Sequence, residues 1–88
     1  MEYKFPEFEY TITAYPKDMN GEEIALEDFP VVFRAWFTQG YAQWVKAEIG
    51  GLVIDHPRAI MMLGLDNLQR FQAEAYDHAL ELREEGSL

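Results

Sequence analysis

The chain has 88 residues, 16 acidic against 7 basic side chains (formal charge −9), no cysteine and an apolar share of 49%. This length supports one modest core and one domain, residues 1–88, and the apolar share is too high for a disordered chain. The absence of cysteine removes disulfides, thiolate metal sites and cysteine nucleophiles, and the charge disfavours nucleic acid and anionic membrane as direct ligands.

Met1-Glu2-Tyr3-Lys4-Phe5-Pro6 breaks any apolar run at once, unlike a signal peptide. The longest nearly uncharged stretch after it, residues 59–65, falls far short of the roughly 20 residues of a membrane span. The expectation is a soluble, cytoplasmic protein. Phe8 to Tyr15 alternates apolar and polar residues as a half-buried strand does. Pro16 ends it, and residues 17–23 read as a turn in which Asn20-Gly21 supplies positive φ angles. Residues 22–28 fit either a helical turn or a return strand.

From Pro30 onward two hairpins test each other. A three-residue loop at Thr38-Gln39-Gly40 pairs Phe37 with Tyr41, Ala35 with Gln43, Phe33 with Val45 and Val31 with Ala47. A Gly50-Gly51 turn pairs Ile49 with Leu52 and Ala47 with Ile54, which selects the same inner face. The outer face then carries Val32, Arg34, Trp36, Ala42, Trp44, Lys46, Glu48, Val53 and Asp55, with Arg34 opposite Trp44 and Lys46 opposite Asp55. Residues 41–49 also fit a helix closed by Gly50, a reading that buries apolar residues less consistently.

Asp55-His56-Pro57 has the form of a helix start, with Gly64 ending that helix at Leu63. Asp66 three residues before Gln69 matches a capping box, which predicts a second helix from about Asn67 to Arg83 or Glu84. Leu68, Phe71, Ala75, Ala79 and Leu82 form its apolar stripe, and Glu74, Asp77, Glu81 and Glu84 line up on the far side. The predicted fold class is therefore α+β: an antiparallel sheet of three to five strands, packed on one face by a C-terminal helical region.

No catalytic constellation stands out. The only serine is Ser87 near the C-terminus, and Thr11, Thr13 and Thr38 lie in no pattern that would activate them. Glu22-Glu23 and Glu27-Asp28 lie in what reads as an exposed loop, where nothing raises a carboxyl pKa. Gly50-Gly51 has neither the spacing nor the lysine of a phosphate loop. His78 shares a helix side with Glu74 and Glu81, but a metal site would need matching ligands from other helices. No cofactor, metal or enzymatic activity is expected.

Charge is sorted along the chain. Residues 1–28 carry eight acids and two bases, residues 29–65 two and three, and residues 66–88 six and two, giving −6, +1 and −4. Two surfaces follow. The row Glu74, Asp77, Glu81 and Glu84 places carboxylates about 5 Å apart along a helix axis, from a rise of ~1.5 Å per residue. That spacing is of the order of the phosphate spacing along a nucleic-acid strand, so the row suits a basic groove; the plainer reading is a solubilising stripe. The second surface is the sheet's outer face, where Trp36, Trp44 and Arg34 would anchor a partner or a homodimer unless residues 16–28 fold over it.

In general character, being short, acidic, cysteine-free and without catalytic machinery, the chain resembles small phage-encoded inhibitors, including anti-CRISPR and other anti-defence proteins. The resemblance implies a non-enzymatic inhibitor of a basic, nucleic-acid-binding protein surface, acting as a nucleic-acid mimic. The alternative is a small structural or assembly protein, such as a phage morphogenesis factor or accessory subunit, with the tryptophan face as its interface.

Overall fold

The computed structural model describes residues 5–18 and 20–88; the sequence reading of Met1 to Lys4, and of Met19 within the first turn, lies outside them. The chain runs β1 (Glu7–Ala14), β2 (Leu26–Trp36), β3 (Tyr41–Ile49), β4 (Leu52–Asp55), α1 (His56–Leu63) and α2 (Leu65–Glu84). The four strands form one antiparallel sheet in the order β1-β2-β3-β4. Both helices pack against one of its faces, so the fold is α+β, as the patterning predicts.

β1 alternates as expected, with Phe8 and Ile12 buried between exposed Glu7, Glu9, Thr11 and Thr13. The open choice over residues 22–28 resolves to a return strand that begins at Leu26. Between the strands, the Asp18 carboxylate accepts hydrogen bonds from the Asn20 and Glu22 amides at 2.9 and 2.8 Å, and Gly21 supplies a φ of 80°. The backbones of Lys17 and Glu23 form an isolated antiparallel β-bridge, and the Ile24 amide donates to the Pro16 carbonyl. The described residues of the segment thus prolong the β1–β2 hairpin.

Two bulges decide which side chains point inward. A regular strand puts only residues an even number apart on one face, yet Phe29 and Leu26, three apart, pair with Ile12 and Ala14, two apart, and Trp44 and Ala47 are both in the core. On β2 the extra residue falls between the pairs Ile12↔Phe29 and Ala14↔Leu26, where Asp28 takes a φ of 48° and its amide donates to Thr13 Oγ1. On β3 the shift lies between Phe33↔Trp44 and Val32↔Lys46. The Trp44 amide is taken by Gln72 Oε1, reaching from α2 at 2.9 Å.

The loop between β2 and β3 overturns the predicted register, and the β3 bulge restores it. The first loop is four residues long, Phe37 to Gly40, with the Trp36 carbonyl accepting from the Gln39 and Gly40 amides. Trp36 therefore pairs with Tyr41, Ala35 with Ala42, Arg34 with Gln43 and Phe33 with Trp44. Beyond the bulge the predicted pairs hold: Lys46↔Asp55, Ala47↔Ile54 and Ile49↔Leu52. Ala42 and Trp44, expected outside, lie inside at 0% and 2% exposure. Burying a tryptophan removes some 150–250 Å² from water, and the bulge lets Trp44 and Ala47 both contribute to the core.

α1 begins as predicted: Asp55 accepts the Arg58 amide at 3.1 Å and Pro57 lies in the first turn. α2 begins two residues earlier than expected and has no side-chain cap. Gly64, at φ 82°, closes α1 and opens α2 together, leaving Asp66 inside the first turn, where its charge complements the helix dipole. Leu68, Phe71, Ala75 and Ala79 are buried as expected and Leu82 is half-buried. The core they complete with Phe8, Val31, Phe33, Trp44 and Ile54 contains no buried polar or charged residue among those described. No helix among the described residues is long and apolar enough to cross a membrane.

Candidate functional site

The acidic row is exposed throughout, at Glu74, Asp77, Glu81 and Glu84. Its position is more specific than the far side of a helix. Glu74, Asp77 and Glu81 overhang β1 and, with Tyr10 and His78, line an open groove of about 270 Å³. Tyr10 belongs to the inner face of β1, opposite Val31, and its ring lies 5.3 Å from that of His78. Desolvation on burial pushes the Tyr10 phenol above its ordinary value of 10.0; the charge of Glu74 and a hydrogen bond to it push further the same way, as do Asp77 and Glu81. Glu84 lies a turn beyond the groove and does not line it. His78 Nδ1 approaches Glu81 Oε2 at 4.0 Å, and no group of three or more metal-ligating side chains occurs among the described residues.

The strand beneath adds two carboxylates that the helix pattern alone does not reveal. Glu7 and Glu9 project from the opposite, outer face of β1. Glu7 is engaged by Arg34 across the ladder, Nη2 to Oε1 at 3.3 Å, with both side chains about two-fifths exposed. Such a pair contributes little to stability, and its main effect is to fix Arg34 over the sheet.

On the outer face the predicted tryptophan pair does not exist. Trp36 is there, half-buried; Trp44 is in the core. Trp44 Nε1 donates to the Ile54 carbonyl at 2.9 Å and its ring stands edge-on to Phe33, centroids 5.7 Å apart. Arg34 consequently faces Gln43 across the strands and not Trp44. Trp36 has other company: Phe5 stacks on it at 3.9 Å, and Tyr41 lies nearly parallel to it at 5.8 Å and 4°. Its Nε1 is buried without a hydrogen-bond partner among the described residues, an arrangement that costs about 1–3 kcal/mol. The face therefore presents a three-ring ladder, Phe5-Trp36-Tyr41, and beside it Arg34, Val32 and exposed Lys46.

A different groove, about 230 Å³, lies between the end of β1 and the helices, lined in part by Thr13, Tyr15, Asn67 and Arg70. The Tyr15 hydroxyl donates to Glu27 at 3.2 Å, and that bond raises its pKa. Nothing in this groove pairs a nucleophile with a base. No protein-family model matches the chain, and no curated protein or solved structure is found similar to it.

Proposed function

We propose that this chain is a non-enzymatic acidic binding protein that occupies a basic, nucleic-acid-binding surface of another protein, as a nucleic-acid mimic of the phage anti-defence type, acting in the cytoplasm. The observation that carries the reading is the exposed carboxylate row Glu74, Asp77, Glu81 and Glu84 on one side of α2, in a chain of net charge −9. A row of that spacing steers a cationic groove into contact and raises the association rate more than the affinity, so the complex is salt-sensitive. Arg34 and Trp36 on the outer sheet face supply a separate anchoring surface.

The test is a tagged capture from host lysate with nuclease present, at low and moderate salt. A nucleic-acid-binding protein released by salt or by competing DNA supports the reading. Replacing Glu74, Asp77, Glu81 and Glu84 by lysine abolishes capture if the row is the site; retained capture rejects it.

The alternative, a structural or assembly subunit, is favoured by the Phe5-Trp36-Tyr41 ladder on an open sheet face. Aromatic residues on an exposed face are the usual anchors of an interface. A partner held through moderate salt and lost on Trp36→Ala selects this reading, and Trp44, being buried, takes no part in it.

A further inference from the structure

We infer that the free edge of β1 accepts a lysine- or arginine-rich extended segment of the partner as an added strand; this rests on the proposed engagement of a basic protein. The phase of the ladder fixes which backbone groups are available. The Ala35 amide donates to the Pro6 carbonyl at 2.9 Å, and hydrogen bonding alternates along an antiparallel strand. Residues 8, 10 and 12 therefore direct their N–H and C=O groups to β2, whereas Glu7, Glu9, Thr11 and Thr13 direct theirs away from the sheet. Among the described residues no strand pairs with β1 on that side. A row of unmet donors and acceptors is a template for another extended chain.

Charge complementarity selects the occupant. Side chains of an added strand alternate between the two faces of the sheet. Those on the inner face enter the groove of Tyr10, Glu74, Asp77 and Glu81, and those on the outer face lie beside Glu7 and Glu9, of which Glu7 is shared with Arg34. Carboxylates meet the strand in both phases, so cationic side chains are favoured at every position and the segment needs no apolar alternation. A second copy of this chain is disfavoured, because pairing β1 with itself brings Glu7, Glu9 and the α2 carboxylates against their own copies at −9 per chain. The same repulsion excludes a nucleic-acid strand.

The experiment titrates the isotope-labelled full chain with a Lys-Thr alternating peptide long enough to span β1. A parallel titration uses the same sequence methylated at every backbone nitrogen, which keeps the charge and cannot pair with a strand. The expected result is slowed amide exchange at Glu7, Glu9, Thr11 and Thr13, with about tenfold weaker binding of the methylated peptide. Binding of the unmodified peptide also falls about tenfold in the E74Q/D77N/E81Q variant, whose substitutions are exposed and leave the core intact. Equal binding of the two peptides, with changes confined to α2, overturns strand addition and leaves the basic-surface reading standing. No binding of either, or concentration-dependent protection of β1 without peptide, also overturns it, and the lysate capture then decides the function separately.

Discussion

The two tryptophans lie eight residues apart on neighbouring strands of one sheet and occupy opposite environments. Trp44 is nearly solvent-free, hydrogen-bonded to Ile54 and packed edge-on against Phe33. Trp36 is half-buried, stacked against Phe5 and Tyr41, with its indole nitrogen unpaired among the described residues. In a regular hairpin built on the predicted three-residue loop both would share the outer face. The longer four-residue loop separates them by turning Trp44 inward, and the extra residue in β3 beyond Trp44 returns Ala47 to the same face, so the difference between a core anchor and a surface ring comes from register and not from composition.

Deleting Val45, the residue between the shifted pairs, attacks that difference most directly. The deletion forces Trp44 or Ala47 out of the core, and the expected outcome is loss of cooperative unfolding, measured by urea denaturation followed by tryptophan fluorescence. Next in size is Trp44→Phe, which leaves a void and strips the Ile54 carbonyl of its donor; a loss of about 2–4 kcal/mol is expected in the same assay. Trp36→Phe sharpens the contrast. It keeps a ring between Phe5 and Tyr41 and removes an N–H that has no partner among the described residues, a gain that offsets the lost indole contact area, so stability should change by less than about 1 kcal/mol. A loss as large as that at Trp44 would show that the outer face is a second core.

The smallest effect concerns the acidic groove. Tyr10 has its pKa raised in the folded chain above the ordinary 10.0, so above pH ~10 the unfolded chain gives up this proton before the folded one does. The folded state binds more protons in that window, and stability falls as pH rises through it. Tyr10→Phe should leave stability near neutral pH little changed and flatten the alkaline decline, compared by urea midpoints between about pH 9 and 11. The remaining slope includes Tyr15, whose hydroxyl is held by Glu27. An unchanged slope would show that neither burial nor the α2 carboxylates raise the Tyr10 pKa.

Local signals in the sequence were enough for the elements and most of their faces. Alternation marked β1, the Gly50-Gly51 turn set the β3–β4 register, Asp55 and Pro57 marked the start of α1, and helical spacing picked out Leu68, Phe71, Ala75 and Ala79. What local signals missed depended on partners distant in the chain. The β3 bulge is stabilised by Gln72 from α2, which no window around residues 41–49 contains. The capping box at Asp66 lost to a glycine that joins two helices without a gap. For the candidate site, the spacing of the four carboxylates was legible, but their neighbourhood was not. That Glu74, Asp77 and Glu81 overhang an edge strand, and that Glu7 and Glu9 border the same edge, follows from strand order, a property of the assembled sheet.

The junction at Gly64 bears on how the acidic row is aimed. Its amide closes α1 on the Ile60 carbonyl at 2.9 Å, and its carbonyl receives the Leu68 amide at 3.0 Å. A side chain there would meet no atom within 4 Å, so the obstacle to substitution is the backbone conformation alone, φ 82° and ψ 149°, a penalty of roughly 1–3 kcal/mol. One residue's backbone conformation thus sets the angle between the helix that follows β4 and the helix that carries the carboxylates. A change at this position, which touches neither groove nor core, would strain the junction while buried Leu68, Phe71, Ala75 and Ala79 keep the charged array aimed along the sheet.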